Sequence, residues 1–246
     1  ATDKMRVTEH ILPSTATPSA RLSVETELEG SAADRMRRRL KLEGPEALQR
    51  IYLDFYRKRY GDVDPETALS VDDDEEKDKL RISERYLMKN PWIGSATQKA
   101  VEVYADAIAS ELALPKTAKR RAPLAIAYPS DVEQRVELEL PAGWHWLGQP
   151  QQRKLEDAAV TFEFDTRQTN RTVSVIQQLR TRQSVVGPED YPKHFSLLRD
   201  ANELFSRRLL VEIPARDAEY QRDKRLQDLM RNILDDKHGK SEQKND

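Results

Sequence analysis

The second half of this chain has a rhythm that few folds can accommodate. From Val101 onward come six short runs: VEVYA (101–105), PLAIAY (123–128), RVELEL (135–140), VTFEF (160–164), TVSVIQQL (172–179) and RLLVEI (208–213). Most of them alternate apolar with polar residues, and Pro, Gly or Asn stand between most of them. An extended chain points successive side chains to opposite faces, so each run reads as a strand with one wet side and one buried side. A series of such strands punctuated by turn residues predicts an antiparallel β-sandwich. One helix interrupts it: after Gly187 and Pro188, the residues Tyr191, Phe195, Leu198 and Phe205 recur near helical spacing.

The first half reads differently. Met5 to Ile11 and Leu22 to Leu28 alternate as half-buried strands, joined by PSTATPSA, which suits a hairpin connection. Gly30 ends the second strand, and Ser31 with Asp34 has the spacing of a capping box opening the helix SAADRMRRRLKL. Gly44 and Pro45 start a second helix that Gly61 stops, with Leu48, Ile51, Tyr52 and Phe55 as its expected buried stripe. VDDDEEKDK (71–79) lies between strand-like TALSV and KLRISERYLM and reads as a solvated turn, because so many like charges do not pack. The expected class is α+β, mainly β. It comprises a small antiparallel sheet with two helices (1–98), a β-sandwich (99–214), a charged amphipathic helix (215–238) and a disordered tail (239–246).

That last helix carries Leu226, Leu229, Met230, Ile233 and Leu234 along one side of its second half. An isolated helix of this length is marginal in water, so the stripe is expected to dock on its own sandwich or on a partner protein.

Bulk chemistry excludes several classes of activity. The chain has no cysteine, which removes disulfides, thiolate metal sites and a cysteine nucleophile. Its 41 basic and 43 acidic residues nearly cancel, leaving no field to gather nucleic acid, and no apolar run is long enough to span a bilayer. His10, His145, His194 and His238 are scattered without ligand spacing; His145 and His194 read as partly exposed surface residues. No G-x-S-x-G elbow and no phosphate-cradling glycine loop occurs. Glu137 and Glu139 are two apart on one strand, but alternation with Val136, Leu138 and Leu140 already explains them as the wet face. Asp62, Asp64 and Glu66, and separately Asp72 to Glu76, lack the glycine and distal glutamate of a calcium loop. Arg35, Arg37, Arg38 and Arg39 ring their helix, where ion pairs with Asp34 and Glu43 are expected. These readings assign no catalytic residue, metal or cofactor. In GWHWLG, a spacing of two places Trp144 and Trp146 on one side of a strand, where they would stack on a sugar or a peptide if exposed.

Three stretches, KRRAPLAIAYP from Lys119, RVELELPAGW from Arg135 and VVGPEDYPKHF from Val185, resemble the C-terminal segment of bacterial transglutaminase-like superfamily proteins. The earlier ELEGSAADRMRRRL and GPEALQRIYLDFYRKRYG are similar to the stretch just after that family's core, so the resemblance covers about residues 1 to 213. In that family a β-rich N-terminal domain precedes a papain-like core with a Cys-His-Asp triad, and a β-rich appendage follows. The resemblance implies a position in an architecture, with Leu140, Pro141, Gly143, Trp144, Pro188, Glu189, Asp190, Tyr191 and Phe195 matching structural motifs only. It further implies a periplasmic or cell-surface location in bacteria. The expected function is a non-catalytic accessory module packing beside a transglutaminase-like domain in cis or another protein; the alternative is a glycan- or peptide-binding sandwich using Trp144 and Trp146.

Overall fold

The structure, a computed structural model, describes residues 3–242, with side chains described for 3–227 and 229–233. It is mainly β, with 42% strand and 30% helix. Strands β1 (Asp3–Pro13) and β2 (Ala20–Glu29) form the expected hairpin, in a register that pairs Met5 with Leu28 and Ile11 with Leu22. Helices α1 (Ser31–Glu43) and α2 (Pro45–Tyr60) follow, then β3 (Val63–Pro65), β4 (Ser70–Asp74) and β5 (Lys79–Met88), with β3 and β4 both paired to β5. Next come β6 (Ile93–Gly94), β7 (Gln98–Tyr104), α3 (Asp106–Glu111), β8 (Leu124–Ala125), β9 (Ser130–Glu139), β10 (His145–Trp146) and β11 (Gln151–Glu156). The chain ends with β12 (Val160–Thr169), β13 (Thr172–Thr181), β14 (Val185–Val186), α4 (Tyr191–Asn202), β15 (Ser206–Glu212) and α5 (Ala215–Glu242).

Among the described residues, one long sheet runs in the order β11-β12-β13-β9-β1-β2-β5-β3, with β4 also on β5. Its centre is a parallel pair: β1 lies on β9 from Asp3 opposite Ser130 to Ile11 opposite Leu138. The boundary placed between 98 and 99 is therefore not a break in hydrogen bonding; the first strand of one half is an inner strand of the other. A second sheet, β10-β15-β7-β6, stands against it, and Val101, Val103, Leu209 and Val211 from this sheet share one buried cluster with Phe162, Phe164, Val173 and Val175 from the first. This is the sandwich-like arrangement, with antiparallel pairing in all but the β1–β9 seam.

Several local expectations change. The Ser31–Asp34 capping box is not made: Asp3, reaching over from β1, accepts the Ser31 N–H at 2.9 Å and its hydroxyl, while Asp34 pairs with Arg37. A carboxylate from another strand thus supplies the negative end that a helix N-terminus favours. The acidic stretch is half strand, since β4 includes Asp72, Asp73 and Asp74; Arg37 offsets their charge by bridging Asp73 and Asp78, both at 2.9 Å. On α2 Leu48 of the expected stripe is buried and Tyr52 and Phe55 are half-buried, but Ile51 is exposed and the buried face continues instead through Tyr56 and Tyr60. PLAIAY yields only the short β8, and β11, which lacks alternation, is an edge strand that the pattern missed. Helix α5 continues past Gly239, the stop read from sequence, to Glu242; residues 243–246 of the expected tail lie outside the described residues.

Candidate functional site

The site is built where α5 leaves the body. The Ile213 N–H donates to the Thr97 carbonyl at 2.8 Å, Pro214 turns the chain, and α5 begins. Its first turns are seated by one face: Asp217, Ala218 and Gln221 are buried. Asp217 accepts the Trp144 indole N–H at 3.0 Å. The Gln221 side-chain amide donates to the Ser14 carbonyl at 2.9 Å and accepts from the Lys99 ammonium, which ties α5 to the β1–β2 turn and to β7. Beyond Gln221 most of the described side chains of the helix are exposed. Leu226 is 52% exposed, Met230 63%, and Leu229 and Ile233 are exposed as well; the Leu234 side chain lies outside the described residues. The expected docking of this stripe onto its own sandwich does not occur, because the seated face turns into solvent after two turns.

At this root lies a cavity of about 260 Å³, lined among others by Trp92, Gly94, Lys99, Gln221, Arg222 and Arg225. Its charge is one-sided, since among the described residues no Asp or Glu lines it. Lys99 is 9% exposed, and its ammonium is pushed below the usual lysine range by burial and then by the nearby Arg225. Arg222 lies 3.6 Å from its exposed neighbour Asp223; among the described residues Lys99 and Arg225 have no ion-pair partner. Trp92 lines the cavity, and its indole N–H is buried without a hydrogen-bond acceptor among the described residues. The rim is rigid at Gly94, whose φ of +121° and 2.5 Å approach of the Gln98 carbonyl to any added Cβ leave room for glycine alone. A shallower groove of about 370 Å³, lined by Arg222, Arg225, Leu226, Leu229 and Asn232, shares its two arginines with the cavity.

Residues 103–211 match the family model described as "Domain of Unknown Function with solved-structure structure" (DUF3858). No curated protein matches the chain. The DUF3858 match runs from β7 to β15 and contains LPAGW and PEDYPKHF; all the side chains lining the cavity lie outside it.

Within the DUF3858 span, the two tryptophans do not share a face. Trp144 precedes β10, is 4% exposed and packs edge-on against Trp92 at 5.7 Å between ring centres. Only Trp146 keeps partly exposed area, so the joint stacking platform expected from their spacing is not formed: β10 is too short to hold both in strand geometry. His145 is exposed, as expected. His194 is not: its side chain is 1% exposed, with Nδ1 2.7 Å from the Asp157 carboxylate and Nε2 buried without a partner. Burial raises the Asp157 carboxyl, yet the His194 bond and the N–H groups of Val160 and Ala159 outweigh it and hold the group below its ordinary value. The signal was available in the sequence, because Tyr191, His194, Leu198 and Ala201 follow helical spacing. Glu137 and Glu139 lie on the wet face, near Arg135 and Arg171.

A second buried polar set lies under α2. Glu9 accepts from the Tyr56 hydroxyl and the Gln134 amide, both at 3.3 Å, and Glu84 accepts from Tyr86. Burial, with Asp106 nearby, pushes the Glu9 carboxyl up to about 8, and burial takes Glu84 to about 7. Sequence patterning did not single them out, since a carboxylate on the inner face of a strand breaks the alternation on which the reading rests.

Proposed function

We propose that this chain is a non-catalytic accessory module that presents α5 to a protein partner. The observation that carries the reading is the contrast along α5: a root fixed through Asp217 and Gln221, followed by exposed Leu226, Leu229, Met230 and Ile233. Covering such side chains contributes about 1.5 to 3 kcal/mol each, and a helix whose start is already ordered loses less entropy when a partner covers the rest. The finer reading places the module beside a transglutaminase-like catalytic domain, in cis or in another chain, in the periplasm or at the surface of a bacterium. It rests on the resemblance of LPAGW and PEDYPKHF, both inside the matched span. A glycan platform on Trp144 and Trp146 has less support, because Trp144 is buried.

Two measurements test this. The isolated chain is expected to give no turnover in amidase and crosslinking assays. Hydrogen exchange of the amides from Leu226 to Ile233 is expected to slow when the segment encoded upstream is added or fused. Turnover that survives stringent purification overturns the reading, and exchange unchanged by that segment overturns docking in cis.

A further inference from the structure

We propose that the cavity at the root of α5 is an anchor for a carboxylate side chain on an acidic, amphipathic segment of a partner protein, whose apolar side chains then lie along Leu226, Leu229 and Ile233. This rests on the docking role argued above and gives the partner its chemistry.

Lys99 and Arg225 line the same cavity, Arg225 disfavours the Lys99 charge, and Lys99 is nine-tenths buried, where an ammonium without a counter-ion is expensive. Like charges held together in a partly desolvated place are relieved by an anion, and among the described residues no carboxylate of the cavity's own lining supplies one. The described lining thus gathers Lys99, Arg222 and Arg225 around one cavity without a counter-charge of its own. Gly94 fixes the rim and Gln221 holds the Lys99 ammonium, so the donors are placed before anything binds.

Shape and continuity choose between anions. Arg222 and Arg225 line both the cavity and the groove running on to Leu226 and Leu229. Positions 222, 225, 226, 229 and 233 repeat at three and four residues, which makes them one face of α5, basic at the root and apolar outward. From Arg222 to Leu229 is about 10 Å along the axis. A bound group must therefore carry negative charge at one end and apolar side chains about two turns away, which is the pattern of an amphipathic polypeptide laid against a helix. Inorganic phosphate satisfies only the first requirement. An anionic membrane is disfavoured because acidic Asp223 alternates with the basic residues at the root.

The experiment selects peptides from a displayed random library on the intact chain and then measures their affinities by fluorescence anisotropy. Selected sequences are expected to carry Asp or Glu followed at helical spacing by Leu, Ile or Phe. Arg222→Glu with Arg225→Glu is expected to weaken them by tenfold or more, and the affinity is expected to fall with added salt. Both arginines are on the helix surface, and circular dichroism checks that the variant folds; a conservative Arg225→Lys, expected to keep most of the binding, guards against a merely structural effect. Peptides without acidic residues that are lost on Leu226→Asp but insensitive to Arg225→Glu would overturn the anchor while leaving the docking role intact. Failure to select any peptide overturns the anchor, as does preferential binding to phosphatidylglycerol vesicles or concentration-dependent self-association through α5 in sedimentation.

Discussion

Two buried ionisable sites within the same small protein show opposite bookkeeping of charge. At the turn between β11 and β12, Asp157 is met by His194 and by two backbone N–H groups. At the root of α5, Lys99 is met by one amide oxygen and by another cation. The first arrangement is closed around its charge and staples α4 to the sheet. The second is open on the electrostatic side, which is how a surface looks before its ligand arrives. Burial alone would have ranked the two sites together; the identity of the neighbours separates them.

The largest effect is expected from breaking the closed site. His194→Ala leaves the buried Asp157 carboxylate without its imidazole hydrogen-bond partner, and about 3 kcal/mol of stability should be lost in urea unfolding at neutral pH. Because the Asp157 carboxyl is held below 3.8 in the folded state, its contribution is present above that value and disappears as pH falls through the lower folded one. The variant should therefore unfold at a higher pH on acid titration; an unchanged acid midpoint would show that the pair stores no charge energy.

Next in size is the carboxyl set under α2. The folded pKa of Glu9 is raised above its ordinary 4.5 to about 8, so the folded chain holds a proton that the unfolded chain has released. The contribution of Glu9 to stability is therefore full below about 4.5 and is lost as pH rises towards 8. Glu9→Gln should remove most of that decline, raising the thermal midpoint by several degrees at pH 8.5 and by less at pH 5. Equal shifts at both pH values would contradict the burial of a titrating group.

The open site should respond in the other direction. Lys99→Met removes an unfavourable cation and is expected to change stability by less than about 1 kcal/mol, or to increase it, in the same urea assay that penalises His194→Ala. A loss as large as that at His194 would mean that Lys99 is already compensated. The smallest effect is spectroscopic. Trp146→Phe should abolish most of the iodide-quenchable emission, and if Trp144 carries it instead, the packing of that ring on Trp92 is wrong.

What could be read in advance follows the range of the interaction concerned. Strand β5 was legible because Leu80, Ile82, Tyr86 and Met88 fall on one face; Glu84 shares that buried face, where its carboxylate accepts from Tyr86, a contact that alternation alone does not mark. The ion pairs of Arg37 with Asp34 and Arg39 with Glu43 were legible from helical spacing. The capping of α1 was not, because its acceptor Asp3 sits on another element. The cavity at the root of α5 was out of reach for the same reason, since Trp92 and Lys99 meet Gln221 and Arg225 only after the chain has folded across more than half its length.

The seam between β1 and β9 has a consequence for how the chain is made and how it comes apart. Ser130 to Leu138 find their parallel partners in Asp3 to Ile11, so the strand synthesised first waits for one well over a hundred residues later. Such non-local pairing closes a long loop and slows folding. Any cut that separates the two halves also bares the same ladder twice, leaving one edge on β1 and one on β9. Both are long and rich in unmet backbone donors and acceptors, and each is a template for pairing with another molecule. The protein's solubility is thus bound to its continuity: kept whole, it has its longest strands indoors, and divided, it offers them to its neighbours.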